Sequence, residues 1–267
     1  MPPFSDTPTL HSGEDITRIY GHIRKQARRI ASRFPVPAFY SDFFLAGEFS
    51  RRLFVSDPLL RDLRNYAFFQ LDEDFGHGSE HARKVSLDAG TLVFAEYIGS
   101  TYSLDYIRRR MFLAQCAGLF HDIRRKEKNH AGAGADFTAD LLKQYSLRPR
   151  EIEDIVQAIR NHEAFKDISP VHTPEGLLIS DCLYDADKFR WGPDNFQNTV
   201  WDMVIFLKIP LKDFMKKYPA ALQKIASVKK TFRSETGKKY GPQFIDTGLA
   251  IGKELYAEIL REFGACL

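Results

Sequence analysis

From Glu151 to His162 the apolar residues Ile152, Ile155, Val156 and Ile159 recur at i, i+3, i+4 and i+7. That spacing lines one face of a helix, and Pro149 stands just ahead, where a helix start tolerates it. Ser79 to Tyr97 places His81, Val85, Ala89 and Leu92 on one stripe. Leu104 to His121 is apolar almost all round in its second half (MFLAQCAGLF), the pattern of a central buried helix. Glu14–Phe34, Asp57–Phe69, His130–Tyr145, Asp194–Leu207 and Phe244–Phe263 also read as amphipathic helices. No run of alternating residues competes with these, so little or no sheet is expected, and no repeat recurs at a fixed period. Breaks fall at Phe34-Pro35-Val36-Pro37, Asp74-Phe75-Gly76-His77-Gly78, Gly192-Pro193 and Gly241-Pro242. None is long or polar enough for a flexible linker. The pattern predicts one all-α domain over 1–267, with an N-terminal helical extension (1–75), a middle portion (76–191) and a C-terminal helical cap (192–267).

Composition leaves that picture standing. With 267 residues, 44% hydrophobic and 27% charged, the chain is unlike disordered, collagen-like or low-complexity sequences and has room for a substantial core. The three cysteines, Cys116, Cys182 and Cys266, lie far apart and suit a reducing cytoplasm rather than a disulfide framework. The apolar run Met111–Phe120 is about half of what a membrane span needs, and the first twenty residues lack the basic start and apolar stretch of a signal peptide. A cytoplasmic protein without a membrane partner is the expectation. Net charge is +3 but uneven: Lys208–Lys239 carries +8 and Glu14–Arg33 carries +4, leaving −9 on the rest. A solvated helical face explains the basic segments more simply than nucleic-acid binding does.

The chemistry lies in the middle portion. His81 leads one apolar stripe, His121-Asp122 sits where the central helix meets the charged run RRKEKNH, His162 closes another stripe, and Asp187 follows the run LLISDCLYDA. Burying such groups unpaired costs several kcal/mol each, roughly, so they need partners. A shared cation satisfies them together.

The series His81 … His121-Asp122 … Asp187 resembles the HD superfamily of metal-dependent phosphohydrolases, and the framing segments Glu80–Val85, Ala117–Ile123 and Tyr184–Phe189 match too. The resemblance covers roughly 76–191. It implies a helical bundle around a divalent ion held by His81, His121, Asp122 and Asp187, with additional N- and C-terminal helices here. One departure is plain: Arg124-Arg125 follow Ile123 where relatives often carry Gly-Lys.

Two imidazoles and two carboxylates suit six-coordinate Mn, Fe, Co, Ni or Mg. Such an ion acidifies bound water and neutralises phosphoryl charge. Asp122 is the first candidate to orient or deprotonate that water. Lys84, Arg125, Lys126, Lys188 and Arg190 lie beside the ligands in sequence and are candidates for binding phosphate oxygens. The expected substrate is a nucleotide or another small phosphorylated metabolite, cleaved as a phosphomonoester or phosphodiester. The alternatives are an HD-type di-iron oxygenase and a non-catalytic sensor or nucleic-acid-binding scaffold.

Several neighbours have two readings. His77 is either a mobile turn residue or the first ligand in place of His81, and the turn is preferred. Asp185 is expected to point away from the ion. Phe189, Trp191 and Phe196 serve either the core or a substrate base. Some relatives carry two extra histidines that hold a second ion or meet substrate, and the order of His130 and His162 fits. A single ion is narrowly preferred, because only seven residues separate Asp122 from His130. His130 and His162 are then expected in catalytic roles.

Overall fold

The computed structural model describes residues 13–71 and 76–267, and among them all regular structure is helical. The bundle is built on α5 (Ser79–Glu96) and α6 (Leu104–Phe120), which pack along much of their length. From Met111 to Phe120 every residue of α6 is buried, as a run apolar but for Gln115 requires. Gly118 sets the crossing: a Cβ there would meet the Cα of Ser86 at 2.6 Å, so only glycine lets the backbones approach.

Around this pair lie α7 (His130–Leu142), α8 (Pro149–Arg160) and α9 (Pro174–Phe189), while α3 (Phe44–Ser56) and α4 (Pro58–Gln70) cover the other side. The starts follow local chemistry. Pro58, Pro149 and Pro174 open α4, α8 and α9, and Asp57, Ser103 and Thr173 accept from Leu60, Tyr106 and Gly176 N–H to cap α4, α6 and α9. At the head of α8 Glu151 accepts from Arg109 Nε at 2.8 Å and Nη2 at 2.6 Å, and from the Arg148 N–H at 3.0 Å. That buried clamp fixes α8 against α6.

The chain ends enclose one end of this core: α1 (Gly13–Ala31), the short α2 (Ala38–Asp42), α10 (Val200–Phe206), α11 (Leu211–Val228) and α12 (Glu235–Phe263). A π-helical turn over Asn195–Thr199 precedes α10, in a segment expected to be plain helix. One hydrophobic cluster runs from Ile19 to Ile259. Phe189 belongs to it, stacked on Phe244 at 4.0 Å, and Phe196 is buried too, so both serve packing. The break expected at Gly241-Pro242 does not occur, and α12 runs through it. The missing Pro242 donor strands a carbonyl on the exposed Lys238 side, while Tyr240, Phe244 and Ile245 are buried. Burial of that face outweighs a proline cost of about 3 kcal/mol. Among the described residues no helix is long and apolar enough to cross a membrane.

Candidate metal centre

Five elements bring their chemistry to one point. His81 lies in the first turn of α5, His121-Asp122 at the end of α6, His130 at the start of α7, His162 just past α8 and Asp187 near the end of α9. All six side chains are buried. Asp122 is the hub. Its Oδ2 lies 2.9 Å from His77 Nδ1, 3.4 Å from His121 Nε2 and 3.7 Å from His81 Nε2. Its Oδ1 lies 3.5 Å from both His130 Nε2 and His162 Nε2. Asp187 Oδ1 is 3.3 Å from His81 Nε2 and 3.8 Å from His121 Nε2.

These donors form three overlapping groups with metal-binding spacing: His77/His81/Asp122, His81/His121/Asp187 and Asp122/His130/His162. The imidazoles argue for a cation. His81 and His121 face each other through Nε2 at 3.1 Å, and His130 and His162 do so at 3.2 Å. His121 Nδ1 donates to the Gly118 carbonyl at 2.8 Å and His162 Nδ1 to the Ile159 carbonyl at 2.6 Å. A carbonyl only accepts, so in the neutral form of those rings each Nε2 aims its lone pair into the cluster. Lone pairs facing one another repel unless a proton or cation lies between. His77 Nδ1 is buried without a hydrogen bond despite its closeness to Asp122, a further donor in need of positive charge. The residues present fit a metal ion, with candidate donor groups on both sides of Asp122.

Electrostatics agree. Burial pushes His81 down to about 4, with His77 and His121 adding to it, and burial likewise pushes His130 down to about 4. Burial alone raises a carboxyl, yet His121 and His77 hold Asp122 well below the usual range, and Lys188 and His81 do the same for Asp187. Burial lowers His121, but the Asp122 and Asp187 carboxylates outweigh it and raise this imidazole.

Two expectations about the histidines change. The seven-residue path to His130 is long enough, because residues 121–129 form tight turns that fold α7 back onto the cluster. His77 is half-buried against Asp122 and is no bystander. Its turn is held by Gly76 at φ +69°, where a Cβ would strike the Thr199 backbone at 2.8 Å. The only sequence signal for His77 was its i−4 spacing from His81.

A cavity of about 640 Å³ opens over the cluster, a size suited to a small-molecule ligand. Arg125, Lys188, Arg190 and Trp191 line it. Arg125 donates to His130 Nε2 at 2.9 Å and lies 3.5 Å from Asp122 Oδ1, while Lys188 pairs with Asp187. Arg190 touches the cavity but is buried and bound to Asp88, Asp194 and the Tyr40 hydroxyl. Lys84 points elsewhere: it donates to Asp194 Oδ1 at 2.9 Å and lines two neighbouring cavities. Lys126 is exposed beside the Phe206 ring, outside the cavity. Adjacency to a ligand in sequence did not decide direction, since consecutive helical side chains diverge by about 100°.

Asp185 does turn from the cluster, into a buried site rather than toward solvent. It accepts from Arg233 N–H and Ser234 N–H, each at 2.8 Å, and from Ser234 Oγ–H at 2.7 Å. Arg233 in turn covers the Tyr184 ring at 3.5 Å and donates to the Asn161 carbonyl at 2.8 Å, one residue before His162. Asp185 thus anchors the start of α12 and, through Arg233, the end of α8.

Residues 79–192 match the family model of the HD domain, and that segment holds His81, His121, Asp122, His130, His162 and Asp187. Searches of the curated proteins and of the solved structures each return no significant match.

Proposed function

We propose, from the premise that residues 79–192 are an HD domain, that this protein is a metal-dependent hydrolase of phosphoric esters acting on a nucleotide or other small phosphorylated metabolite. The observation that carries the reading is Asp122 standing between two facing imidazole pairs at the base of a cavity with cationic walls. His81, His121, Asp122 and Asp187 would hold one divalent ion, and Asp122, His130 and His162 a second. Ions bound there supply Lewis-acid polarisation of a phosphoryl oxygen and acidify water.

The chain's own side chains do the rest. Asp122 orients the attacking water through whichever oxygen is turned to it. Arg125 and Lys188, both facing the cavity beside the cluster, bind the non-bridging phosphate oxygens as their charge grows. Burial of the cluster strengthens each of these interactions.

The test is a screen of nucleotides and sugar phosphates with Mn, Co, Ni, Mg or anaerobic Fe supplied in turn, following phosphate release and oxygen uptake together. Metal-dependent phosphate release that disappears in Asp122→Asn is expected. Oxygen uptake without phosphate release would replace this reading with the oxygenase one.

A further inference from the structure

Part of the cavity wall comes from outside the matched segment, from α10 and α11. Met203, Ala221 and Ile225 make it largely apolar, and Lys224 is its one cation. The other three cations of the cavity have roles already: Arg125, beside Asp122 and His130, and Lys188, beside Asp187, face the scissile phosphate, and Arg190 is bound to Asp88 and Asp194. Lys224 is exposed, and among the described residues no salt bridge to it is found. A cation facing a ligand cavity without a carboxylate partner is positioned for an anion that arrives with the ligand.

Aromatic rings line the same cavity. Phe165, three residues after His162, holds φ +62° and leaves its ring exposed on the cavity, with Trp191 also in the lining. Left-handed backbone at a bulky residue is strained and persists where the surroundings impose it. Two aromatic residues and an apolar helix face suit a planar or apolar body.

We propose that Lys224 determines specificity by binding a second oxyanion, a phosphate or carboxylate, carried by the substrate at the end remote from the scissile phosphate. This rests on the phosphohydrolase reading above. The substrate class is then a phosphomonoester of nucleotide size with two separated anionic groups and an apolar-faced body between them.

The test compares adenosine 5′-monophosphate with adenosine 3′,5′-bisphosphate, and glucose 6-phosphate with glucose 1,6-bisphosphate. Binding by calorimetry and turnover are both measured on the metal-loaded full chain. The wild type should favour the doubly anionic member of a pair roughly tenfold, expressed in Kd and KM rather than kcat. Lys224→Ala should abolish that preference and leave the singly anionic compound unchanged, and Lys224→Glu should reverse it. Lys224 is exposed, so neither variant should alter helical content. Equal preference in wild type, or an equal loss for both members in Lys224→Ala, overturns the proposal. Selective binding without phosphate release would instead sustain Lys224 and sink the hydrolase reading.

Discussion

The two oxygens of Asp122 face different partners, Oδ2 toward His77, His81 and His121, and Oδ1 toward His130 and His162. One carboxylate therefore serves both sides of the centre, and its loss should not be partial. Asp122→Asn is expected to reduce bound divalent metal to near zero, whereas His162→Ala should lower it from two ions per chain toward one. Elemental analysis of dialysed protein reads both outcomes; one ion per chain in wild type and His162→Ala alike would return the centre to a single ion. His77→Ala should keep the ions but weaken them roughly tenfold, as loss of a supporting contact typically does. Metal titration followed by competition with a chelator measures it.

Helix crossings convert these residues into a site. Gly118 permits α5 and α6 to touch, and it stands one turn before His121. Gly118→Ala should force the pair apart at a cost of about 1–3 kcal/mol and weaken metal binding with it. Urea unfolding gives the first quantity and metal titration the second. At the head of α8, burial raises Glu151 but the Arg109 and Arg148 contacts outweigh it and hold the carboxyl at about 2. A depressed carboxylate contributes stability above its unfolded pKa, and that contribution is lost as pH falls through the folded one. The wild type should therefore weaken between about pH 4.5 and 2 through this group. Glu151→Gln should be less stable at pH 7 by roughly 2 kcal/mol, with a flatter acid limb. Urea midpoints across that range compare the two.

At the scale of the molecule, the centre draws on α5 through α9, so ions bound there tie five elements together. Binding to the native state alone stabilises by about 2.7 kcal/mol at a hundredfold excess over Kd. For a chain of this size Mn or Co should raise Tm by roughly 5–10 °C, and Asp122→Asn should abolish the rise. Scanning calorimetry with and without chelator is the measurement. The basic segment Lys208–Lys239 lies on the cap that walls the cavity, though Lys229 is paired with Asp246 and Lys238 with Glu235. If its remaining charge steers anions, kcat/KM falls as salt rises while kcat stays level.

Apolar spacing near 3.6 residues was enough to read α1 and α4 through α8 within a few residues, because that period is a local property of the chain. His81, His121-Asp122, His162 and Asp187 stood out for a related reason: polar groups ending apolar faces demand partners wherever those faces pack. Direction and convergence are not local. The fold decided that the short path after Asp122 returns His130 to the cluster and that Gly76 packs His77 against Asp122. It also sent Lys84 to Asp194, buried Asp185 under the start of α12 and carried that helix through Pro242. These outcomes depend on a turn, a crossing or a burial, most of them set by residues far along the chain, and such contacts leave no period in the sequence to read.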